Sequence, residues 1–372
     1  MNNSLFRFFL PTIIFFALIS SISCQNSENQ NKIAVSPQLT LIGEQLIKAN
    51  SVFDSTQVGG LSGIDYANNT WYAISDDSRD PIRFYELELN YTNTAFTSVE
   101  VIKMNELLDS TGNAFQARTI DGESIRFDRD INRFVWTSEG ALSVGIAPTL
   151  FETHPETLIS NPIQKITNYQ QSIPNGSLEG LSLDYQAKGY WFAMELPLVT
   201  DGEIPTFTTN NSPIRINYFD KNTQSISKQY AYQLDKVGLE PKTPDALAIN
   251  GLVELLAINE HQLLAMERSY TSGYGTNGNV VKIYLLTMDG ATDVSSIKSL
   301  KTTPFVPVKK ELLLNLNTIK NQLPSKRIDN LEGMCLGPKL SNGNNSLLLV
   351  ADNNFNKFGE QLNQFIVFEF IQ

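Results

Sequence analysis

The chain has 372 residues, 41% of them hydrophobic and 18% charged, and carries a formal net charge of −11. That balance excludes a disordered chain and is enough for one large domain or two ordinary ones. The acidic surface also excludes nucleic acid as a partner, because phosphate-backbone binding needs a basic face.

Residues 1–24 read as a targeting segment. Arg7 is its lone positive charge, and "FFLPTIIFFALIS" is too short and too early to span a membrane. The segment ends in "SISC" and resembles a bacterial lipoprotein signal, in which Cys24 is lipidated and becomes the mature N-terminus. Ser21 stands where Leu is usual, so an ordinary signal peptide cut nearby stays open. Gln25 is not the Asp that favours inner-membrane retention. The expected location is therefore the outer membrane or cell surface, with membrane contact only through the lipid anchor. Residues 25–38 read as a polar tether and 39–372 as the folded domain. After Cys24 only Cys335 remains, inside "EGMCLG", which leaves no intramolecular disulfide and a buried, inert thiol.

"LTLIGEQLI" (39–47) is a strand with no local partner. After it, hairpins begin at Gly59, Ile120, Gly176, Asn250 and Asn330, each built as a strand, a polar turn and a second strand. Further strand-like runs such as "PIRFYELELN", "PIRINYFD" and "NVVKIYLLTMDG" follow them. Four antiparallel strands repeated five times predict an all-β, five-bladed β-propeller. Six blades stays open, because the stretch from Ala141 to Gln171 is hard to place. The last repeat has only three strands. Pairing Leu39–Ile47 with it as the outer strand closes the ring, removes an exposed edge and leaves a monomer.

Carboxylates recur at fixed places in these hairpins. An inner strand begins, and its neighbour ends, on one face of a propeller. The predicted pairs at that mouth are Glu123 with Glu139, Glu179 with Glu195, Glu254 with Glu267, and Glu332 with Asp352. In the first hairpin Asp76 closes opposite Ser62. Two carboxylates about 5 Å apart repel by roughly 3 kcal/mol at an effective dielectric near 20, so bound cations, neighbouring basic groups, raised pKa values or backbone hydrogen bonds must offset such a ring. All-oxygen ligands suit Ca²⁺. Basic candidates are Arg79, Arg118, Arg268 and Arg327. The alternative role for any of these acids is to brace a neighbouring blade. The two histidines, His154 and His261, fall away from the mouth, and no nucleophile elbow, P-loop or dinucleotide fingerprint occurs.

"SLEGLSLD…YWFAMEL", "NGLVELLAINEHQLLAMERSY" and "NLEGMCLGP…LLLVADNN" resemble the phytase-like family labelled "esterase-like activity of phytase". The resemblance implies an exported propeller that hydrolyses phosphoesters with Ca²⁺. The compact Lys/Arg-rich phosphate clamp of true phytases does not occur here. On this reading Glu123, Glu139, Glu179, Glu195, Glu254, Glu267, Glu332, Asp352 and Asp76 are expected to hold metal. Glu179, Glu267 and Arg268 are the catalytic candidates, and Arg79, Arg118 and Arg327 would bind a small phosphorylated substrate. A non-catalytic ligand- or protein-binding propeller and a Ca²⁺-dependent lactonase are the competing readings.

Overall fold

Five four-stranded antiparallel sheets account for nearly all the regular structure of the computed structural model. It describes Met1 and residues 37–372 apart from 80 and 167–170. The expected signal segment, Cys24 and nearly all of the tether lie outside the described residues.

Strand β1 (Gln38–Ile47) leads into a small hairpin of β2 (Val52–Phe53) and β3 (Thr56–Gln57). Blade 1 follows as β4 (Leu61–Ala67), β5 (Thr70–Ser75), β6 (Arg83–Tyr91) and β7 (Phe96–Glu106). Blade 2 is β8 (Gly122–Asp128), β9 (Arg133–Ser138), β10 (Thr149–Thr153) and β11 (Ser160–Lys165). The uncertain stretch thus supplies the two outer strands of this blade, and the count is five. Blade 3 is β12 (Leu178–Leu183), β13 (Gly189–Met194), β14 (Pro213–Asp220) and β15 (Ser225–Gln233). Blade 4 is β16 (Ala248–Ala257), β17 (Gln262–Thr271), β18 (Asn279–Thr287) and β19 (Lys309–Asn315). Blade 5 is β20 (Leu331–Lys339), β21 (Asn345–Ala351) and β22 (Asn363–Ile371), completed by β1. β1 pairs antiparallel with β22 from Gln38↔Ile371 to Ile47↔Asn363, so the N-terminal strand closes the ring as expected.

The inner strands β4, β8, β12, β16 and β20 touch one another in cyclic order. The core is correspondingly divided. Five apolar clusters each lie between two adjacent blades, as where Leu61, Ile64 and Trp71 of blade 1 meet Cys335, Leu348 and Phe365 of blade 5. Alternating apolar residues on both faces of each strand produce this arrangement, because every sheet is covered on both sides.

A buried ion pair fills the axis. Arg126 of β8 pairs with Glu254 of β16 at 2.7 Å, and both are nearly devoid of solvent contact. Arg126 also donates to the carbonyls of Ile64, Ile125, Leu255 and Met334, which belong to four different inner strands. Glu254 accepts from Ser124 Oγ and from the N–H groups of Leu181 and Leu255. One residue pair therefore ties all five inner strands together below the mouth.

Candidate functional site

Each inner strand has the same irregularity near its start. The register breaks between Leu61 and Gly63, Gly122 and Ile125, Leu178 and Leu181, Leu252 and Glu254, and Leu331 and Gly333. A bulge at a rim re-aims the side chains beside it. The close approach that follows demands small residues. A Cβ added at Gly180 would sit 3.1 Å from the Glu254 Cα.

The register fixes which residues are equivalent. Asp76, Glu139, Glu195 and Asp352 each follow the last residue of their strand and donate their N–H to the carbonyl of Gly60, Asp121, Ser177 or Asn330. In blade 4 Leu252 pairs with Glu267 and Gly251 with Arg268. Arg268, not Glu267, therefore occupies the closing place. On the opening side Val253 corresponds to Glu123, Glu179 and Glu332, and Glu254 falls one place further on.

Two expected mouth residues are thereby corrected. Alternation along a strand turns a one-residue offset into the opposite face. Glu254 points into the axis and is consumed by Arg126. Glu267 points into the gap between blades 3 and 4. There its carboxylate accepts from Tyr232 Oη at 2.5 Å, Asn250 Nδ2 at 2.7 Å and the Asp235 N–H at 3.1 Å, and it pairs with Lys310. Both acids brace blades. Neither reaches the mouth, so Glu267 is removed from the metal-binding and catalytic candidates and Glu254 from the metal-binding ones.

The mouth brings together Asp76, Asp121, Glu123, Glu139, Glu179, Glu195, Glu332 and Asp352, with Arg268 set among them. Arg268 Nη2 lies 3.0 Å from Glu332 Oε1 and 3.4 Å from Glu195 Oε1. Asn330 Nδ2 bridges Glu332 Oε1 at 2.9 Å and Asp352 Oδ2 at 3.2 Å. Glu139 Oε1 accepts from the Ser177 N–H at 2.5 Å. By contrast, the carboxylates of Asp76, Asp121, Glu123 and Glu179 have no hydrogen bond or ion pair among the described residues, and Oδ1 of Asp76 and of Asp121 is buried without a partner. The mouth thus has a neutralised side around Arg268 and an uncompensated side running from blade 1 through blade 2 to Glu179 of blade 3.

Proton affinities follow this geometry. Burial, then the Glu332 charge, pushes Asp76 up to about 7. Burial, then Asp76 and Glu139, pushes Asp121 up to about 9. Burial with neighbouring acids likewise lifts Glu123, Glu179 and Asp352 well above the ordinary carboxylate range. Glu139 and Glu195 rise to about 7, mainly through burial. Each shift reflects the cost of holding negative charge out of water, which the nearby cations offset only in part.

Asp121, Glu123 and Glu139 each offer a carboxylate oxygen within 4.8 Å of the other two. Among the described residues this grouping brings three acids close enough to share one hard cation. Asp121 carries little signal in the sequence. It lies just before β8, at a place held by Gly60, Ser177, Gly251 and Asn330 in the other blades, so no repeat of acid flagged it. Its only signal was its position two residues before Glu123.

The remaining arginines differ in availability. Arg79 Nε bonds to Asp77 Oδ1 at 2.6 Å, its side chain is half exposed, and it lies over the Phe355 ring. Arg118 is exposed on the loop before β8. Arg327 is tied to Asp329 at 2.9 Å and to Glu360 at 3.3 Å, and it braces the entry to β20. Neither histidine lies at the mouth, as expected: His261 is in the turn between β16 and β17, and His154, expected among outer-strand residues, is in the turn between β10 and β11.

Similarity to solved structures is confined to fold. An endo-arabinase from Bacteroides thetaiotaomicron is 10% identical over 85% of this chain and 95% of its own, with a TM-score of 0.46. A Bifidobacterium bifidum protein described as a candidate exo-β-1,3-galactanase is 12% identical over 90% and 93%, with a TM-score of 0.41. An auxiliary nutrient binding protein from Bacteroides thetaiotaomicron is 10% identical over 90% and 76%, with a TM-score of 0.32. No curated protein matches the sequence. A family model does match, over residues 56–355, which takes in the hairpins of all five blades. The chain belongs to the phytase-like family described as "esterase-like activity of phytase".

Proposed function

We propose that this protein is an exported, lipid-anchored propeller that hydrolyses phosphoesters with Ca²⁺ held at the uncompensated side of its mouth. The observation that carries the reading is the set of buried carboxylates without partners beside the Asp121, Glu123 and Glu139 grouping. An all-oxygen donor set with orphaned oxygens at Asp76 and Asp121 fits a hard cation that accepts six to eight ligands in flexible geometry. Asp121, Glu123 and Glu139 would hold it, with Asp76 beside them. Bound there, Ca²⁺ supplies a Lewis acid that draws charge from phosphoryl oxygens.

The chain's own residues then divide the work. Glu179, without a partner among the described residues, is the candidate general base, and a cation beside it would offset the burial and neighbouring acids that raise its proton affinity and so free it to accept a proton. It takes the proton of a water whose oxygen bonds to phosphorus. The bond from phosphorus to the leaving oxygen breaks, and that oxygen takes its proton from solvent. Arg268 holds Glu195 and Glu332 in place and keeps that half of the mouth from competing for the cation.

The test is turnover of phosphomonoesters, phytate, carboxyl esters and lactones, each assayed with Ca²⁺ and with chelator. Chelator-sensitive release of phosphate supports the reading, and release from lactones alone moves the assignment to a lactonase. Calcium-dependent stabilisation without turnover of any compound would make this a binding propeller. One observation favours that last outcome: Arg268 already has two carboxylate partners. Anchoring is tested apart from activity, since Cys24→Ser should move the protein from the membrane to the soluble fraction.

A further inference from the structure

The loop 353–359 leaves β21 at Asp352 and turns over blade 1. Asn354, Phe355 and Asn356 are all left-handed, with φ of 45°, 50° and 57°. Non-glycine residues hold such backbone only where their surroundings over-determine it. Here the buried Asn353 does so, its Oδ1 accepting the N–H groups of Gly60 and Phe355, each at 3.1 Å. The Phe355 ring packs on Gly60. A Cβ added there would lie 2.8 Å from Phe355 Cε2 and 2.0 Å from Asp76 Oδ1, so ring and carboxylate flank the same glycine.

That ring carries two cations. The Arg79 guanidinium carbon lies 5.1 Å from its centroid and Lys357 Nζ lies 5.4 Å from it. Both are within the ~6 Å over which a ring face attracts a cation. Arg79 has Asp77 as its carboxylate partner. The Lys357 side chain is exposed, and its ammonium has no hydrogen bond or ion pair among the described residues. Its field nevertheless reaches Asp76 and Asp121 and opposes the rise that burial imposes on both.

We propose that Lys357 and Arg79, mounted on Phe355, form an anion-anchoring subsite at the blade-1 edge of the mouth. Its ligand class is a compact dianion such as a phosphomonoester group, taken in preference to a phosphodiester or a neutral ester. Lys357 contacts the anion. Phe355 is a positioning residue, which fixes the two cations beside Asp76 without contributing charge. The role given to the ligand as substrate rests on the calcium-dependent reading above, whereas the subsite itself is read from anion binding.

The experiment is calorimetric titration of inorganic phosphate into the Ca²⁺-saturated full chain, its Lys357→Gln variant and its Phe355→Leu variant. Lys357→Gln lies at an exposed position and should fold normally. It is expected to weaken phosphate at least tenfold while Ca²⁺ affinity stays unchanged or rises. Phe355→Leu keeps every charge and should also weaken phosphate, with an unchanged melting temperature showing that the fold is intact. Unchanged phosphate affinity in Lys357→Gln overturns the proposal and leaves Lys357 as a counter-charge only. If the wild type takes up no Ca²⁺, the preceding reading falls by itself. Phosphate titrated in chelator then decides: binding that Lys357→Gln abolishes supports the subsite, and no binding overturns it.

Discussion

Arg268 lies 3.0 Å from Glu332 across the boundary between blades 4 and 5, at the place in its blade where the other four blades put a carboxylate. This one exchange of sign divides the mouth into a neutralised side and an uncompensated side. Arg268→Met should leave Glu195 and Glu332 buried without a counter-charge. Breaking a buried pair in this way costs about 3–5 kcal/mol, so urea denaturation at neutral pH should show a loss of that order. At pH 5, where the freed acids can take up protons, most of the loss should vanish.

The axial pair makes a contrasting prediction. Arg126→Met leaves Glu254 without its counter-charge at a site with no solvent contact and removes the hydrogen bonds to four carbonyls. It should destabilise by at least the ~3–5 kcal/mol of a broken buried pair. Adding Glu254→Leu to that variant should recover part of the loss, as read from denaturation midpoints. A full loss in both variants would mean that the carbonyl contacts, not the charge, dominate.

Dependence on pH separates the free protein from the cation-loaded one. Asp76, Glu139 and Glu195 have folded-state values near 7, above the ordinary carboxylate value of about 4. The folded state therefore binds protons more tightly than the unfolded chain. The stability these groups contribute is fully present below pH ~4 and is lost as pH rises through 7, with Asp121 extending the loss toward 9. In chelator the unfolding free energy should fall between pH 5 and pH 8. With saturating Ca²⁺ the part of the fall that comes from Asp76, Asp121 and Glu139 should flatten, because the cation replaces protons at those oxygens.

Ring closure is testable by truncation. β1 covers the edge of β22 over its whole length. Deleting residues up to 48 should expose that edge and give aggregation or a large drop in melting temperature. A truncated protein that melts normally would show that the last blade stands without its outer strand.

Much of this architecture is readable from the sequence because every blade repeats the same hairpin, and strand alternation with polar turns marks each one. The closing strand is readable for a related reason: Leu39–Ile47 has no local partner and the last blade lacks one. The site is only half readable. Bulges at the start of every inner strand move residues by one place without any mark in composition. Glu254 and Glu267 consequently look equivalent to Glu179 and Glu195, yet face the axis and the gap between blades. Asp121 and the Phe355 shelf escape notice because each occurs in one blade alone. Lys357 and Arg79 meet only through the ring closure that brings blade 5 back to blade 1.

The central claim is that the blade-2 acids take a cation. Calcium titrated calorimetrically into the wild type, Glu123→Gln and Glu267→Gln compares the mouth with a bracing site of the same residue type. Binding is expected in the wild type and in Glu267→Gln, with affinity at least tenfold weaker in Glu123→Gln. Equal binding in wild type and Glu123→Gln, or a loss confined to Glu267→Gln, would contradict it.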